Sequence, residues 1–267
     1  GFFLMLFIVA GTFAVVYGIL YVANLIHPVL RFCLETFFIY QILATKSLKT
    51  ESMKVYKKLK EGDLIGARKE VSYLVGRDTE NLDESEVAKA DVETIAENTA
   101  DGVIAPMIFI AIGGAPLGFA YKAVNTLDSM VAYKNEELIN IGFFSAKMDD
   151  ICNFIPARFA AVMLMIASLI LRFDFKGAVK IFKRDRFAHL SPNSAQTEAV
   201  AAGALQIQLG GTHNYFGKAV VKPTIGDDIR PVEYEDIKRT NQLLYVSAIL
   251  SMAVCCLITF LIYVQLF

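Results

Sequence analysis

Three carboxylates recur at every fourth residue in the segment VETIAENTAD, residues 92–101. On an α-helix, Glu93, Glu97 and Asp101 would lie on one face, one turn apart. Carboxylates this close repel one another unless a positive charge lies against them. The row is either a solvated acidic face or a site for a cation or a Mg-nucleotide. The apolar run VIAPMIFIAIGG that follows at once favours the site.

The loop before this row, GRDTENLD, contains an arginine and several acids. Arg77 and Asp78 are either a structural ion pair or part of a ligand site, since arginine binds phosphate and carboxylate through two parallel hydrogen bonds. The loop also predicts where the next helix begins. Asp83 or Ser85 can serve as the N-cap, with acidic residues in the first turn.

More acids and amides follow the apolar run. Asn125 and Asp128 would share a helix face at i, i+3, and Asp149 and Asp150 stand four and three residues before an asparagine. Arg158 would lie near the end of an apolar helix, where it can extend to the interface or point into a site. Ionisable groups at membrane depth are candidates for function.

Several common site motifs are absent from the sequence. The nearest approach to a phosphate loop, GTHNYFGK at 211–218, has five residues between its glycines and alanine after the lysine, where a Walker A motif has four and then Ser or Thr. The sequence has no GxSxG and no dinucleotide fingerprint. Its three histidines lie far apart and its four cysteines form no CxxC pair, which argues against a histidine or thiolate metal site.

The composition is that of a membrane protein with sizeable polar segments. The chain is 55% hydrophobic and 20% charged, too apolar for an ordinary soluble domain and too charged for a pure bundle of spanning helices. The formal net charge of −1 argues against a nucleic-acid partner. The chain begins at Gly1 within an apolar run, so we expect an N-terminal portion to be missing.

The apolar segments predict an all-α, polytopic helical membrane protein. Spans are expected at about 2–26, 154–172 and 243–266. The segment 103–121 contains prolines and glycines and is expected to be a broken or re-entrant helix, or a further span. We expect residues 1–267 to form a single membrane-embedded domain with cytoplasmic helical segments.

The polar segments between the spans are expected to be mostly helical. The sequence predicts two basic amphipathic helices within residues 46–69 and a helix of small residues at 196–209. The segment 212–236 is predicted to be rich in loops. Lysine and arginine number 11 between 27 and 102 and 11 between 172 and 242, against 4 between 122 and 158. The positive-inside tendency puts the two basic segments in the cytoplasm.

Five blocks of sequence, in order, resemble the CobD/CbiB family of cobalamin biosynthesis, adenosylcobinamide-phosphate synthase. The similarity covers roughly residues 27–230. The blocks are VGRDTENLDE, VETIAENTADGVIAP, YKAVNTLDSMV, DDICNFIPAR and SPNSAQTEAVAAGALQIQLGG. The resemblance implies ATP-dependent amide formation between the propionate carboxylate of adenosylcobyric acid and (R)-1-aminopropan-2-ol phosphate or ethanolamine phosphate, giving adenosylcobinamide phosphate.

For this ligase activity we expect ATP as co-substrate and Mg²⁺, a hard ion that takes oxygen ligands. The expected catalytic residues are Glu93, Glu97, Arg77, Asp78 and Arg158. The expected ligand- and cofactor-binding residues are Asn98, Asn125, Ser191 and Asn193. The expected metal ligands are Glu93, Glu97, Asp101, Asp128, Asp149 and Asp150.

The expected partners are the corrinoid, the amino-alcohol phosphate and the lipid bilayer, with a homo-oligomer or a complex with other cobalamin-assembly enzymes as a further possibility. We expect a multi-pass protein of the cell (plasma or inner) membrane with its active site facing the cytoplasm. The alternative function is that of a non-catalytic membrane sensor or corrinoid-binding protein related to AmpE, which shares the overall layout.

Overall fold

The structure, a computed structural model, describes residues 1–131, 139–215 and 217–266. In those residues the chain is almost entirely helical, with one small sheet. The elements are α1 (Phe2–Ile26), α2 (Pro28–Ile42), α3 (Thr45–Lys60), α4 (Leu64–Ser72), α5 (Glu84–Asn98), a π-helix (Thr99–Ile104), α6 (Ala105–Val131), α7 (Ile139–Ile170), α8 (Phe175–Asp185), α9 (Ser194–Leu205), β1 (Leu209–Tyr215), β2 (Lys218–Ile225) and α10 (Tyr234–Leu266).

The predicted all-α polytopic membrane fold is confirmed. Among the residues that the structure describes, four helical segments are long and apolar enough to cross a membrane: Phe2–Ile26, Glu84–Met130, Gly142–Ile170 and Tyr234–Leu261. They overlap the expected spans, although α7 and α10 begin earlier in the chain than expected. The small antiparallel sheet of β1 and β2 is the one departure from an all-helical chain in the residues that the structure describes.

The chain divides into two compact units, each built from separate segments of the sequence. The first comprises Gly1–Ala44, Asp101–Pro156 and Met252–Phe267, and the second comprises Thr45–Ala100 and Ala157–Ser251. The second unit therefore contains most of the polar helices and the sheet. The expectation of a single membrane-embedded domain stays a prediction.

In the first unit, the predicted break in the apolar segment 103–121 is present within α6. Gly113 and Gly114 leave the helical conformation, and Gly114 has φ +66°, which favours glycine because it lacks a Cβ. The helix resumes at Ala115, whose backbone N–H donates to Glu35 Oε1 at 3.4 Å. Pro116 fits in this new first turn, where a missing N–H costs nothing.

In the second unit, α5 begins with a capping box as the loop sequence predicts. Asp83 accepts from the N–H of Glu86, and the side chain of Glu86 accepts from the N–H of Asp83. The two helices expected in 46–69 are α3 and α4, with Gly62 in the turn between them at φ +73°. These local signals fix the direction in which α5 leaves the loop.

Helix α9 forms the centre of the second unit, since all twelve of its residues are buried. Its small side chains let α8 approach closely: a Cβ added to Gly203 would collide with the backbone of Gly177 and would lie 2.8 Å from Ala178 Cα. The predicted small-residue helix is thus confirmed, but it is shorter than expected. It ends at Leu205 because Gln206 adopts a left-handed conformation, φ 58°.

Two further expectations are corrected by the backbone. The segment 212–236 is only partly loop, since its first part forms a β-hairpin with residues 209–211. The row of carboxylates also does not continue as one α-helix. From Thr99 to Ile104 the backbone is π-helical, with i→i+5 hydrogen bonds, so the spacing that would align Asp101 with Glu97 is lost.

The contact between α8 and α9 leads to a prediction. Gly203→Ala should destabilise the protein by about 1–3 kcal/mol, because its methyl group forces the two helices apart. The apparent unfolding temperature in detergent should fall by at least about 3 °C. The control is Gly18→Ala in α1, where an added Cβ meets no atom within 4 Å. Equal unfolding temperatures for wild type and Gly203→Ala would contradict the packing described.

Candidate functional site

A polar cavity of about 150 Å³ lies in the second unit and brings together residues of three of the five sequence blocks. Its walls come from α5, from the loops before α5 and α9, from α9, and from the hairpin. We call it the carboxylate cavity. Its ionisable lining residues are Arg77, Glu93, Glu97, His189, Glu198 and Lys222.

Arg77 and Glu93 form a buried ion pair in the wall of this cavity. Arg77 Nη2 donates to Glu93 Oε2 at 2.8 Å, and the two side chains are 5% and 16% exposed. Glu93 Oε1 accepts from the N–H of Gly210 at 2.7 Å. Both carboxylate oxygens of Glu93 are thus engaged, and Glu93 joins α5 to strand β1.

His213, on β1, lies on the other side of Arg77. Arg77 Nη1 is 2.8 Å from both ring nitrogens of His213. Burial and the positive charge of Arg77 lower the pKa of His213 to about 4. The imidazole is therefore neutral at pH 7, so it accepts a hydrogen bond from the guanidinium without adding a second positive charge.

Glu97 and Glu198 face the same cavity from α5 and α9. Ser194 Oγ donates to Glu97 Oε1 at 2.7 Å, which orients that carboxylate. Glu198 is only 6% exposed. Burial, and then the charges of Glu97 and Glu93, raise the pKa of Glu198 well above its usual range. The positive charges of Lys222 and Arg77 act in the opposite direction and favour the carboxylate form of Glu198.

Two basic side chains complete the cavity. Burial lowers the pKa of Lys222, but its hydrogen bond with Tyr215 and the carboxylates of Glu97 and Glu198 outweigh burial, so the pKa is raised. Burial lowers the pKa of His189. His189 Nδ1 accepts from the N–H of Ser191 at 3.0 Å, which leaves Nε2 as the protonated donor in the neutral ring.

A second cavity of about 230 Å³ shares Arg77 with the carboxylate cavity. It lies between α5 and the start of the hairpin. We call it the lysine cavity, after Lys89, which lines it together with Arg77, Gln208, Gly211, Thr212 and Thr224. The second unit therefore has two adjoining polar cavities that meet at one guanidinium group.

The other predicted residues of the second unit have structural contacts as well. Asp78 holds the hairpin tip, since its Oδ2 accepts from the N–H of Gly217 at 2.8 Å. Arg158 Nη1 donates to Asn193 Oδ1 at 3.2 Å, and Ser191 Oγ accepts from the N–H of Asn193 at 3.3 Å.

Asn98 is the amide in the lining of the carboxylate cavity, and its Nδ2 donates to Thr94 O at 2.9 Å. Its expected part in binding a corrinoid or cofactor stays a prediction, as do the expected roles of Asp78, Arg158, Ser191 and Asn193.

The remaining predicted residues lie in the first unit: Asp101, Asn125, Asp128, Asp149 and Asp150. There, Asp149 accepts from Asn125 Nδ2 at 3.4 Å and from Asn153 Nδ2 at 3.0 Å. Asp150 is 3.6 Å from Lys147. The six expected metal ligands are thus divided between the two units, and the expected metal roles of the aspartates stay predictions.

The oxygen donors of the second unit meet the needs of Mg²⁺ only in part. Across the described residues, no group of three or more His, Cys, Asp or Glu side chains is placed to hold a metal ion. Mg²⁺ in nucleotide sites commonly takes one or two carboxylates, with substrate phosphates and water as its other ligands. Glu97 and Glu198 meet that requirement. Glu93 does not, because both its oxygens accept hydrogen bonds from the protein.

The sequence alone did not single out Glu198, His189, Lys222 or Tyr215. For Glu198 a signal was present: it is the one charged residue in a helix of small and apolar side chains, Ser194–Leu205. A glutamate in such a helix is rarely buried unless it has a partner or a function. Lys222 and Tyr215 line the cavity from the hairpin, in a segment that the sequence pattern predicts to be rich in loops.

Comparisons with known proteins give matches over most of the chain. A family model described as CobD/Cbib protein matches residues 1–244. A protein named Cobalamin biosynthesis protein CobD from Clostridium perfringens is 55% identical over 97% of this chain and 82% of its own length. Cobalamin biosynthesis protein CbiB from Salmonella choleraesuis is 48% identical over 92% of this chain and 77% of its own. No solved structure matches the chain.

The buried carboxyl group of Glu198 leads to a prediction about pH. The pKa of this group is raised in the folded state. Its contribution to the free energy of unfolding is therefore largest below about pH 4.3, the pKa of glutamate in the unfolded chain, and is lost as pH rises towards the pKa of the folded state. With EDTA present, the free energy of unfolding should decrease from about pH 4.3 upward, by at most about 1.4 kcal/mol per pH unit from this group. Glu198→Gln should remove that decrease.

The control for this measurement is Glu80→Gln, because Glu80 is exposed and lies in the same unit. It should show the pH dependence of the wild type. If Glu198→Gln keeps the wild-type pH dependence as well, the carboxyl group of Glu198 is not held in a low-dielectric site.

Proposed function

This chain belongs to the CobD/CbiB family of cobalamin-biosynthesis proteins, and from that premise we propose that it is an ATP-dependent C–N ligase, adenosylcobinamide-phosphate synthase. It joins the propionate carboxylate of adenosylcobyric acid to the amine of (R)-1-aminopropan-2-ol phosphate or ethanolamine phosphate. The observation that carries the proposal is the carboxylate cavity, in which three acids, two cations and a histidine converge.

The reaction has two chemical steps. A carboxylate oxygen attacks the terminal phosphorus of ATP, which gives an acyl phosphate and ADP. The free amine then attacks the acyl carbon, the C–O bond to phosphate breaks, and the amine loses a proton as the amide forms and inorganic phosphate leaves. Both steps depend mainly on positioning and on neutralising charge at the phosphoryl group.

The side chains of the cavity supply that neutralisation. Lys222 is a cation whose raised pKa keeps it charged, and Arg77 is fixed by Glu93 and His213. His189 offers its Nε2–H to a phosphate oxygen. Such fixed donors need little reorganisation when charge develops in the transition state.

The carboxylates Glu97 and Glu198 are the residues that would hold Mg²⁺ here. The ion, when bound, withdraws charge from the phosphate oxygens and so favours attack at phosphorus. Ser194 fixes Glu97 for this purpose through its hydroxyl group. The cavity of about 150 Å³ is smaller than the roughly 300–1,000 Å³ of sites for drug-sized ligands, so it receives the reacting phosphates and not the whole nucleotide.

The membrane setting fits a corrinoid substrate, which is large and partly apolar. We place the protein in the cell membrane with its site facing the cytoplasm, where ATP is available and where the two basic segments are expected to lie. Assembly as a homo-oligomer or with other cobalamin-assembly enzymes is a further part of the proposal. A relationship to AmpE-type proteins without catalysis would instead give binding without turnover.

The test is an assay of the purified protein with adenosylcobyric acid, ethanolamine phosphate and Mg-ATP. Wild type should form one amide and one ADP per turnover. Glu97→Gln should lower kcat by at least about a hundredfold, since it removes a ligand of the Mg²⁺ that would neutralise the charge of the reacting phosphates. Its apparent unfolding temperature should stay close to that of the wild type.

The control variant is Glu80→Gln, which removes an exposed carboxylate outside both cavities and should keep wild-type activity. Near-normal turnover by Glu97→Gln would rule out its assigned role. Tight corrinoid binding by the wild type without ATP consumption would favour the non-catalytic alternative.

A further inference from the structure

The lysine cavity has the features of a binding site for a phosphate group. It is about 230 Å³ in volume. Lys89 reaches it from α5, and Arg77 forms the wall that it shares with the carboxylate cavity. The hydroxyl-bearing residues Thr212 and Thr224 line the opposite side, on the hairpin.

The backbone at Gly211 lines this cavity at an irregularity of the hairpin. In the register, Gly210 pairs with Thr224 and Thr212 pairs with Val221, so the single residue Gly211 on β1 lies opposite two residues of β2, Lys222 and Pro223, and the bulge is on β2. Gly211 has φ +102°, and a Cβ added there would lie 3.9 Å from Lys89 Nζ. Because glycine has no side chain, backbone atoms at Gly211 lie close to the ammonium group of Lys89. β-Bulges are over-represented next to active sites.

Three acids act on the charge of Lys89, namely Glu93, Glu86 and Asp228, and Glu86 also lines the lysine cavity. Glu93 is bound by Arg77 and by the N–H of Gly210, and Glu86 accepts from the N–H of Asp83 in the capping box at 2.9 Å. Among the residues that the structure describes, Lys89 makes no ion pair. Its positive charge therefore faces the cavity without a carboxylate partner of its own.

We propose that the lysine cavity binds the phosphate monoester of the amine substrate, with Lys89 as the principal charge and the backbone at Gly211 as the surface that the phosphate contacts. This rests on the proposed ligase function. The volume of the lysine cavity, about 230 Å³, is smaller than that of sites for drug-sized ligands. The cavity therefore suits the small phosphorylated amine better than a nucleotide.

The position of the lysine cavity also suits the second chemical step. The two cavities meet at Arg77, so a substrate held by its phosphate in one has its amine directed towards the phosphoryl chemistry in the other. Lys89 would also select a phosphorylated amine over the free amino alcohol. The free amino alcohol has no phosphate to pair with Lys89, and a buried cation without an anion beside it is unfavourable.

The first experiment measures steady-state kinetics of the purified membrane protein and its Lys89→Met variant. The KM for ethanolamine phosphate should rise about tenfold to a hundredfold, the loss expected for one charge-assisted hydrogen bond. The KM for ATP should change by less than about twofold. Lys89→Arg should recover part of the affinity, because it restores the charge.

The matched control is Lys218→Met on strand β2 of the same hairpin, an exposed lysine that lines neither cavity. It should leave both KM values unchanged. A second variant, Gly211→Ala, alters the cavity without removing a charge and should also raise the KM for ethanolamine phosphate. A rise in the KM for ATP instead would assign the phosphate to the nucleotide and overturn the proposal, as would unchanged KM values.

Calorimetric titration of ethanolamine phosphate into the protein, without ATP or corrinoid, separates this inference from the ligase function. Wild type should bind it, Lys89→Met should bind at least about tenfold more weakly, and unphosphorylated ethanolamine should not compete. If this pattern is found but no amide forms, the site stands and the ligase assignment fails. If amide forms but binding does not depend on Lys89, the site assignment fails.

Discussion

The buried ion pair between Arg77 and Glu93 is the interaction on which the candidate site depends. Glu93 also accepts from the N–H of Gly210, so one carboxylate joins the loop before α5, the helix itself and the hairpin. Removing one partner of such a pair leaves the other charge buried and costs about 3–5 kcal/mol. Because Arg77 lines both cavities, this pair fixes the wall between them.

The second constraint is the burial of Glu198 on helix α9. Its small residues pack against α8 through Gly177 and Gly203, so the helix has little freedom to move Glu198 towards water. A carboxylate in that position is stable only when it is protonated or beside a cation. Packing in the unit thus keeps the carboxyl group of Glu198 in the carboxylate cavity, where the positive charges of Lys222 and Arg77 oppose the rise in its pKa.

Much of this could be predicted from local sequence signals. The capping box at Asp83, the break at Gly113 and Gly114, and the acidic pair Glu93 and Glu97 each depend on residues close together in the chain. The parts that were missed depend on long-range contacts. Lys222 and His213 reach the site only because the hairpin folds back onto α5, and the π-helix from Thr99 interrupts a periodicity that the residues themselves suggest.

The most direct test of the account follows oxygen from the substrate carboxylate. Adenosylcobyric acid labelled with ¹⁸O in its free propionate is incubated with ethanolamine phosphate, Mg-ATP and the purified protein. An acyl phosphate transfers one carboxylate oxygen to phosphorus, so ¹⁸O should appear in the inorganic phosphate, and Glu97→Gln should release no labelled phosphate. Product formation with ¹⁸O absent from phosphate, or equal labelling by Glu97→Gln, would contradict ligation at the carboxylate cavity.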